Sequence, residues 1–294
     1  MSVLRASVLR LTAHPVFRSA AVRSGIWRRF VAGETLREGM ETAQMLRASG
    51  MAVILDHLGE NVSAQAQATA ATDAYVDAAE SLHADPTLDG AISVKLTQLG
   101  LDLSTQLATE NLSRVLDTAG STLVMIDMES HDYVDRTLDV YRKLRVDHDQ
   151  IGVCIQACLH RSTRDAFDLP EGAIVRLVKG AYLEPQSVAF ARRAEVRAAF
   201  GGLFATLAAR DATIHVATHD PALVEGARRF GYDRVEYQML YGVRTDLQRK
   251  LVADGLPVRV YVPYGGEWYP YLTRRLAERP ATLWFFLRNL ARPR

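Results

Sequence analysis

Eight short apolar runs alternate with eight helical segments along this chain, and that order restricts its fold more than any single motif does. The runs are Met51–Asp56, Ala91–Leu96, Thr122–Met128, Ile151–Ala157, Ile174–Lys179, Thr213–Thr218, Arg234–Met239 and Val258–Pro263. Between them lie helical patterns at Ser63–His83, Ser104–Ala119, Tyr133–Leu144, Ser162–Phe167, Val188–Ala209, Ala222–Phe230 and Thr245–Ala253. A helical opening at Ala32–Ala48 precedes them, and a last helix starts near Pro270. Strands that are apolar throughout are buried on both faces, as in a parallel sheet covered by helices. Eight such strands close, and 294 residues suit a (β/α)8 barrel of about 250 residues with additions. An open doubly wound sheet is the alternative, but no Gly-x-Gly-x-x-Gly follows the first strand. With no linker or low-complexity tract, residues 1–294 are expected to form one domain, with residues 1–31 as an N-terminal helical extension.

Composition narrows the function classes. The net charge is +1 with acids and bases mixed, which leaves no electrostatic footprint for nucleic acid. No apolar run approaches the roughly 18–20 residues of a membrane span. Cys154 and Cys158 are the only cysteines, which argues against a disulfide scaffold and for a reducing compartment. Both are expected in the core, and with no His or Cys partners at zinc spacing no metal is expected. Arg5, Arg10, Arg18, Arg23, Arg28 and Arg29 precede the first acid, Glu34. That composition suits either a transit peptide or a basic N-terminal helix of the mature protein.

In a barrel the strand C-termini converge on the active face, so polar residues there carry the information. The second run ends in Ser93-Val94-Lys95, the third in Ile126-Asp127-Met128-Glu129, the fourth in Ile155-Gln156. The fifth carries Arg176 through Lys179, the sixth ends Ala217-Thr218-His219-Asp220, the seventh Tyr237-Gln238, the eighth Tyr261. Thr218 and Asp220 also suit helix capping. Arg176 and Val178 share one strand face, and an arginine inside an apolar strand requires a partner. A cofactor with polar ring atoms, a phosphate or Asp127 would supply one.

With Pro270 as first helical residue, Tyr271, Arg274, Arg275 and Glu278 fall at i, i+3, i+4 and i+7, the stripe a surface helix turns to the core. Two inward guanidiniums need an anion, and their planar forks suit carboxylate or phosphate. A solvated helix with a local Arg–Glu pair is the other possibility.

At these residues the chain resembles the proline dehydrogenase family, in its short monofunctional bacterial form. The resemblance rests on Ser-Val-Lys-Leu-Thr-Gln-Leu-Gly at 93–100, Ile-Asp-Met-Glu at 126–129 and Arg-Leu-Val-Lys-Gly-Ala-Tyr at 176–182. It continues through Ala-Thr-His-Asp at 217–220, Tyr-Gln-Met-Leu-Tyr-Gly-Val-Arg at 237–244 and Tyr-x-x-Arg-Arg-x-x-Glu at 271–278. Because it reaches back to His14-Pro15, it makes the N-terminal segment part of the mature protein.

The resemblance implies a distorted (β/α)8 barrel that holds FAD non-covalently and oxidises L-proline to Δ1-pyrroline-5-carboxylate. By position it assigns Lys95, Arg274 and Arg275 to the substrate carboxylate, with Glu278 as their charge partner. Asp127 and Arg176 become the active-site pair, Arg176 near the flavin N5. Met128, Gln156, Lys179, Gly180, Ala181, Thr218 and His219 match flavin-contacting positions. Tyr261 and Tyr271 match an aromatic wall around the proline ring, and Leu240 its apolar neighbour. Leu183 stands where some relatives carry Trp, and Asp220 where Asn is common. The family further implies a quinone or other electron acceptor, a separate pyrroline-5-carboxylate dehydrogenase, and a cytoplasmic site with at most peripheral contact at the inner membrane face. The tail Thr282–Leu290, with Trp284, Phe285 and Phe286, suits membrane contact or packing against the barrel. Two rivals remain: a barrel enzyme with Arg274 and Arg275 as a phosphate clamp, and a carboxylate-binding barrel without catalysis.

Overall fold

The computed structural model describes residues 22–23 and 25–278, without the side chains of Ile26 and of residues 274–278. The expected extension before residue 22 and the aromatic tail lie outside the described residues. Eight parallel strands form a closed barrel in chain order. They are β1 (Ala52–His57), β2 (Gly90–Val94), β3 (Leu123–Ile126), β4 (Ile151–Gln156), β5 (Ile174–Val178), β6 (Thr213–Ala217), β7 (Val235–Leu240) and β8 (Val258–Tyr264). Helix α1 (Leu36–Ala48) precedes them. The helix after each strand is, in turn, α2 (Gln65–Ala84), α3 (Thr105–Ala119), α4 (Val134–Leu144), α5 (Ser162–Phe167), α6 (Arg193–Ala208), α7 (Pro221–Phe230), α8 (Thr245–Ala253) and α9 (Trp268–Glu278).

Every expected strand is present, with ends shifted by at most two residues. Helix starts shift as well, and three of these shifts have a visible cause. α1 starts at Leu36 because Thr35 and Glu38 form a reciprocal capping box, while Ala32 is committed to Pro263 O at 2.8 Å. The segment at Val188 is no helix: His160 N–H donates to Val188 O and Phe190 N–H to Cys158 O, so this stretch is tied to the loop after β4. α9 starts at Trp268, which makes Pro270 its third residue; the first turn has no use for that N–H either.

Outward-facing Val53, Ile92, Val153, Leu177, Val216 and Val260 pack under the helices in one main core. Inside the barrel the apolar part is small: Ile54, Ala91 and Met125, flanked by Leu123, Ile174 and Tyr261. Other inward positions carry Asp56, Ser93, Arg176, His215, Gln238 and Arg259, all buried. Buried polar groups persist only when hydrogen-bonded, so this interior has to be a network.

The segment before α1 closes over the end of β8. Gly265 N–H donates to Gly33 O at 2.9 Å, and Trp27 stacks on Trp268 with ring centroids 4.7 Å apart and planes 9° from parallel. Trp268 Nε1–H donates to Glu34 Oε1 at 2.9 Å. The N-terminal segment therefore holds the first turn of α9.

Candidate active site

Asp127 is the hub of the barrel mouth. Its N–H donates to Val94 O at 2.8 Å, which extends the ladder one residue past β3 and keeps the side chain inward. Oδ1 accepts from Arg176 Nη1 and, at 2.9 Å, from Ser93 Oγ. Oδ2 accepts from Tyr261 OH at 2.8 Å and lies 3.6 Å from Lys95 Nζ. Lys95 in turn donates to Asp56 Oδ1 at 2.8 Å. Burial alone would raise the Asp127 carboxyl; Arg176, then Lys95 and the two hydroxyls, reverse this and hold it below the usual carboxylate range. Burial likewise pulls Lys95 down, but Asp56 and then Tyr261 and Asp127 keep its ammonium well above its ordinary value. Burial, followed by Asp127, pushes the Tyr261 phenol well up, so it stays a donor.

Arg176 is held on three sides. Nη1 also donates to Ser93 Oγ at 2.8 Å, Nε donates to Gln238 Oε1 at 2.7 Å, and the guanidinium lies 5.3 Å from the Tyr261 ring centroid. Its remaining nitrogen, Nη2, is buried and has no partner among the described residues. Of the three partners that the sequence leaves open for Arg176, Asp127 is the one present.

The other candidates divide by strand. Gln156, Lys179, Gly180, Ala181, Thr218 and His219 lie at or just past the ends of β4, β5 and β6, which are adjacent in the barrel. Gly180 has φ +106°, and a Cβ there would overlap Cys158 Sγ, so glycine is required on both counts. Gln156 is buried and donates to Glu129 O at 2.8 Å. His219 Nε2 accepts from Leu240 N–H at 3.3 Å. Met128 is buried in the main core. On the opposite side, β8, β1 and β2 bring Tyr261, Asp56 and Lys95 together, with Leu240 beside Tyr261 in register. Tyr271, in α9, is buried. Arg274, Arg275 and Glu278 follow on the same helix, their side chains outside the described residues.

Three expectations change. Lys95 is not free to oppose a carboxylate with a whole charge, since Asp56 and Asp127 already offset it. Cys154 is a core residue, but Cys158 lies past β4 and is only half-buried; burial pushes the thiols up to about 12 and about 11 respectively. Sequence also supplies no candidate on β1, yet Asp56 is the direct partner of Lys95. An acid closing an apolar run was the available signal.

Asp220 does more than replace an asparagine. Its Oδ1 accepts from Ala222 N–H at 3.2 Å and caps α7, while Oδ2 meets Arg197 at 2.8 Å and Lys179 at 3.8 Å. Asparagine caps as well as aspartate, and Arg197 and Lys179 are about half exposed. Asp220→Asn is therefore expected to cost less than about 1 kcal/mol, the scale of exposed pairs. Asp220→Ala adds the lost cap, about 1 kcal/mol more. Urea unfolding of the two variants checks the order; equal losses would leave the cap without a role.

The proline dehydrogenase family model matches residues 39–286. Among curated relatives, proline dehydrogenase 1 of Bacillus subtilis subsp. natto is 36% identical over 272 residues, covering 90% of each chain. The proline dehydrogenase of Deinococcus radiodurans is 36% identical over 304 residues, covering 97% of each. Among solved structures, proline utilization A (PutA) of Bdellovibrio bacteriovorus, inactivated by N-propargylglycine, superposes with TM-score 0.79 at 24% identity. That match covers 86% of this chain and 32% of the PutA chain, and it bears on the fold alone. With a family model spanning most of its length and relatives this similar from end to end, the chain belongs to the proline dehydrogenase family.

Proposed function

We propose that the protein oxidises L-proline to Δ1-pyrroline-5-carboxylate with non-covalently bound FAD as the two-electron acceptor. The observation that carries this is Arg176, buried between two unlike rims with one donor nitrogen unpartnered among the described residues. The β4–β6 rim carries donors, namely Lys179, Thr218 and the backbone at Gly180 and Ala181, which suit a ring edge of carbonyl oxygens and nitrogens. Gln156, Met128 and His219 complete that rim in the proposal. Bound there, the flavin supplies the hydride acceptor.

The β8–β2 side is then the substrate side. Tyr261, Tyr271 and Leu240 bound the proline ring, and Arg274 and Arg275, balanced by Glu278, take its carboxylate. Lys95 has three N–H groups and gives one to Asp56, so it is able to add a bond to the carboxylate while anchoring Asp127. With two carboxylates beside Lys95, this mouth is a poor site for a phosphate dianion. Oxidation removes a hydride from the ring Cδ, which the flavin would accept, and releases a proton from the ring nitrogen to solvent; the nitrogen lone pair becomes the second bond of C=N. Asp127, held ionised, donates no proton; it fixes Arg176 and Tyr261. A ring carbon held in a near-attack pose removes part of the barrier, up to about 7–11 kcal/mol in well-oriented cases.

A quinone or another acceptor reoxidises the flavin in this scheme, and a pyrroline-5-carboxylate dehydrogenase on a separate chain takes the product. No helix among the described residues is long and apolar enough to cross a membrane, so contact with a membrane quinone is proposed as peripheral. Anaerobic titration with L-proline tests the assignment. The purified protein is expected to carry FAD and its oxidised-flavin band to bleach; a preparation that binds FAD but keeps that band under excess proline would overturn it.

A further inference from the structure

Below Arg176 the barrel interior carries polar side chains that the proposed reaction leaves without a task. Gln238 turns its amide oxygen to Arg176 Nε, so its nitrogen faces the other way. That nitrogen lies 2.7 Å from His215 Nδ1 and 3.0 Å from Glu236 Oε1. Glu236 accepts from Arg259 Nε at 2.9 and 3.0 Å. Arg259 reaches along the barrel floor to the neighbouring strands, to Val53 O at 2.9 Å, Asp89 O at 2.7 Å and Asp89 Oδ1 at 3.0 Å. Gln238, His215 and Arg259 are each more than nine-tenths buried.

The chemistry of this chain allows one orientation. An amide N–H aimed at Nδ1 needs a lone pair there, so the imidazole is neutral with its hydrogen on Nε2. Turning the amide over would set its oxygen against the Glu236 carboxylate and its N–H against Arg176 Nε–H, two repulsive contacts in exchange for a single bond from an Nδ1–H imidazole. Asp127 and Ser93 meet Arg176 only at Nη1, a single edge about which a guanidinium is free to swing. Nε on Gln238 is the second anchor, and with the side chain's own attachment at Cδ as the third point the plane is fixed.

We infer that Gln238, locked in one orientation by His215 and Glu236, is the positioning residue that sets the plane of Arg176 and aims its Nη2 at the flavin. This rests on the proposed placement of Arg176 against that cofactor. An aimed donor acts on developing charge without reorganising, and a loose one does not.

The test compares Gln238→Met, His215→Leu, His215→Asn and Arg176→Lys as FAD-loaded proteins. Asparagine presents an acceptor near the place of Nδ1, and leucine presents none. Gln238→Met is expected to slow flavin reduction at saturating proline about tenfold or more, the loss of one charge-assisted hydrogen bond. The flavin midpoint potential should become more negative, with proline KM changed much less. His215→Leu should move both in the same direction, and His215→Asn should restore them. If Arg176→Lys shifts the potential while Gln238→Met and His215→Leu do not, the positioning role is overturned and Arg176 keeps its place. If none of the three moves it, the placement of Arg176 fails and the inference with it. Should the variants lose FAD or fail to fold, nitrogen-15 NMR of the wild-type apoprotein decides. His215 found as the Nε2–H tautomer at neutral pH supports the lock; a proton on Nδ1 overturns it.

Discussion

Replacing Asp127 by alanine is expected to stop proline oxidation and to cost about 3–5 kcal/mol of folding stability, the price of leaving buried charges unpaired. The side chains of Arg176 and Lys95 are 5% and 11% exposed, and both face the carboxylate that would be lost. Asp56 alone would remain against two cations, while Tyr261 OH would lose its acceptor and Ser93 Oγ would keep only Met125 O at 3.4 Å. Asp127→Asn keeps the shape but accepts on one atom only, so it should fall between. Urea unfolding of the apoproteins gives the stability, and stopped-flow reduction by proline gives the rate. An alanine variant within about 1 kcal/mol of wild type would mean that water replaces the carboxylate, and the hub assignment would not survive it.

Acid should destabilise the fold through His215 before most carboxylates titrate. Burial pulls this imidazole down to about 4; Glu236 opposes the shift, and Arg259 and Arg176, on β8 and β5, add to it. The folded-state value lies below the unfolded one, so the unfolded chain takes up the proton first. Stability is thus whole above about pH 6.5 and is lost as pH falls toward 4. From about pH 7.5 to about pH 5 this single group should remove about 2 kcal/mol. Burial lowers His57 too, which adds to the loss, whereas it raises Glu129, which works against it. Asp127 and Glu236, held low in the folded protein, contribute only at lower pH. His215→Asn isolates the effect because asparagine does not titrate. The two unfolding free energies, followed over that range, should converge by about 2 kcal/mol; parallel curves would show a hydrated or protonated imidazole.

The barrel was legible because its outward strand faces are Val, Ile and Leu at nearly every second position, and helices interrupt them at regular intervals. Lys95, Asp127, Arg176 and Tyr261 were legible too, each a polar group at or near the end of an apolar run. What lay hidden is who meets whom. Glu236 and Arg259 stand near the starts of their strands, where charge usually means solvent, and only the β7–β8 register sets them against each other. Asp56 closes an apolar run without any residue nearby in sequence to name its partner; β1 and β2 pair it opposite Ser93, two residues from Lys95. Adjacency across a closed sheet is fixed by shear and closure, which residue spacing does not encode. The beginning of α6 departs from its pattern for a related reason: helical periodicity at Val188 yields to backbone bonds with a loop about 30 residues away.

Trp27 stacks on Trp268, a residue that leaves the ribosome about 240 positions later, on the order of ten to fifty seconds at ordinary rates of synthesis. Through that interval the indole of the early residue has no ring to cover it, and the edge of β1 waits for β8. The nascent chain therefore carries an open sheet edge and a bare aromatic face together, the two surfaces that chaperones and neighbouring nascent chains bind. The same joint that steadies the last helix in the finished enzyme makes its birth the moment of greatest exposure to aggregation.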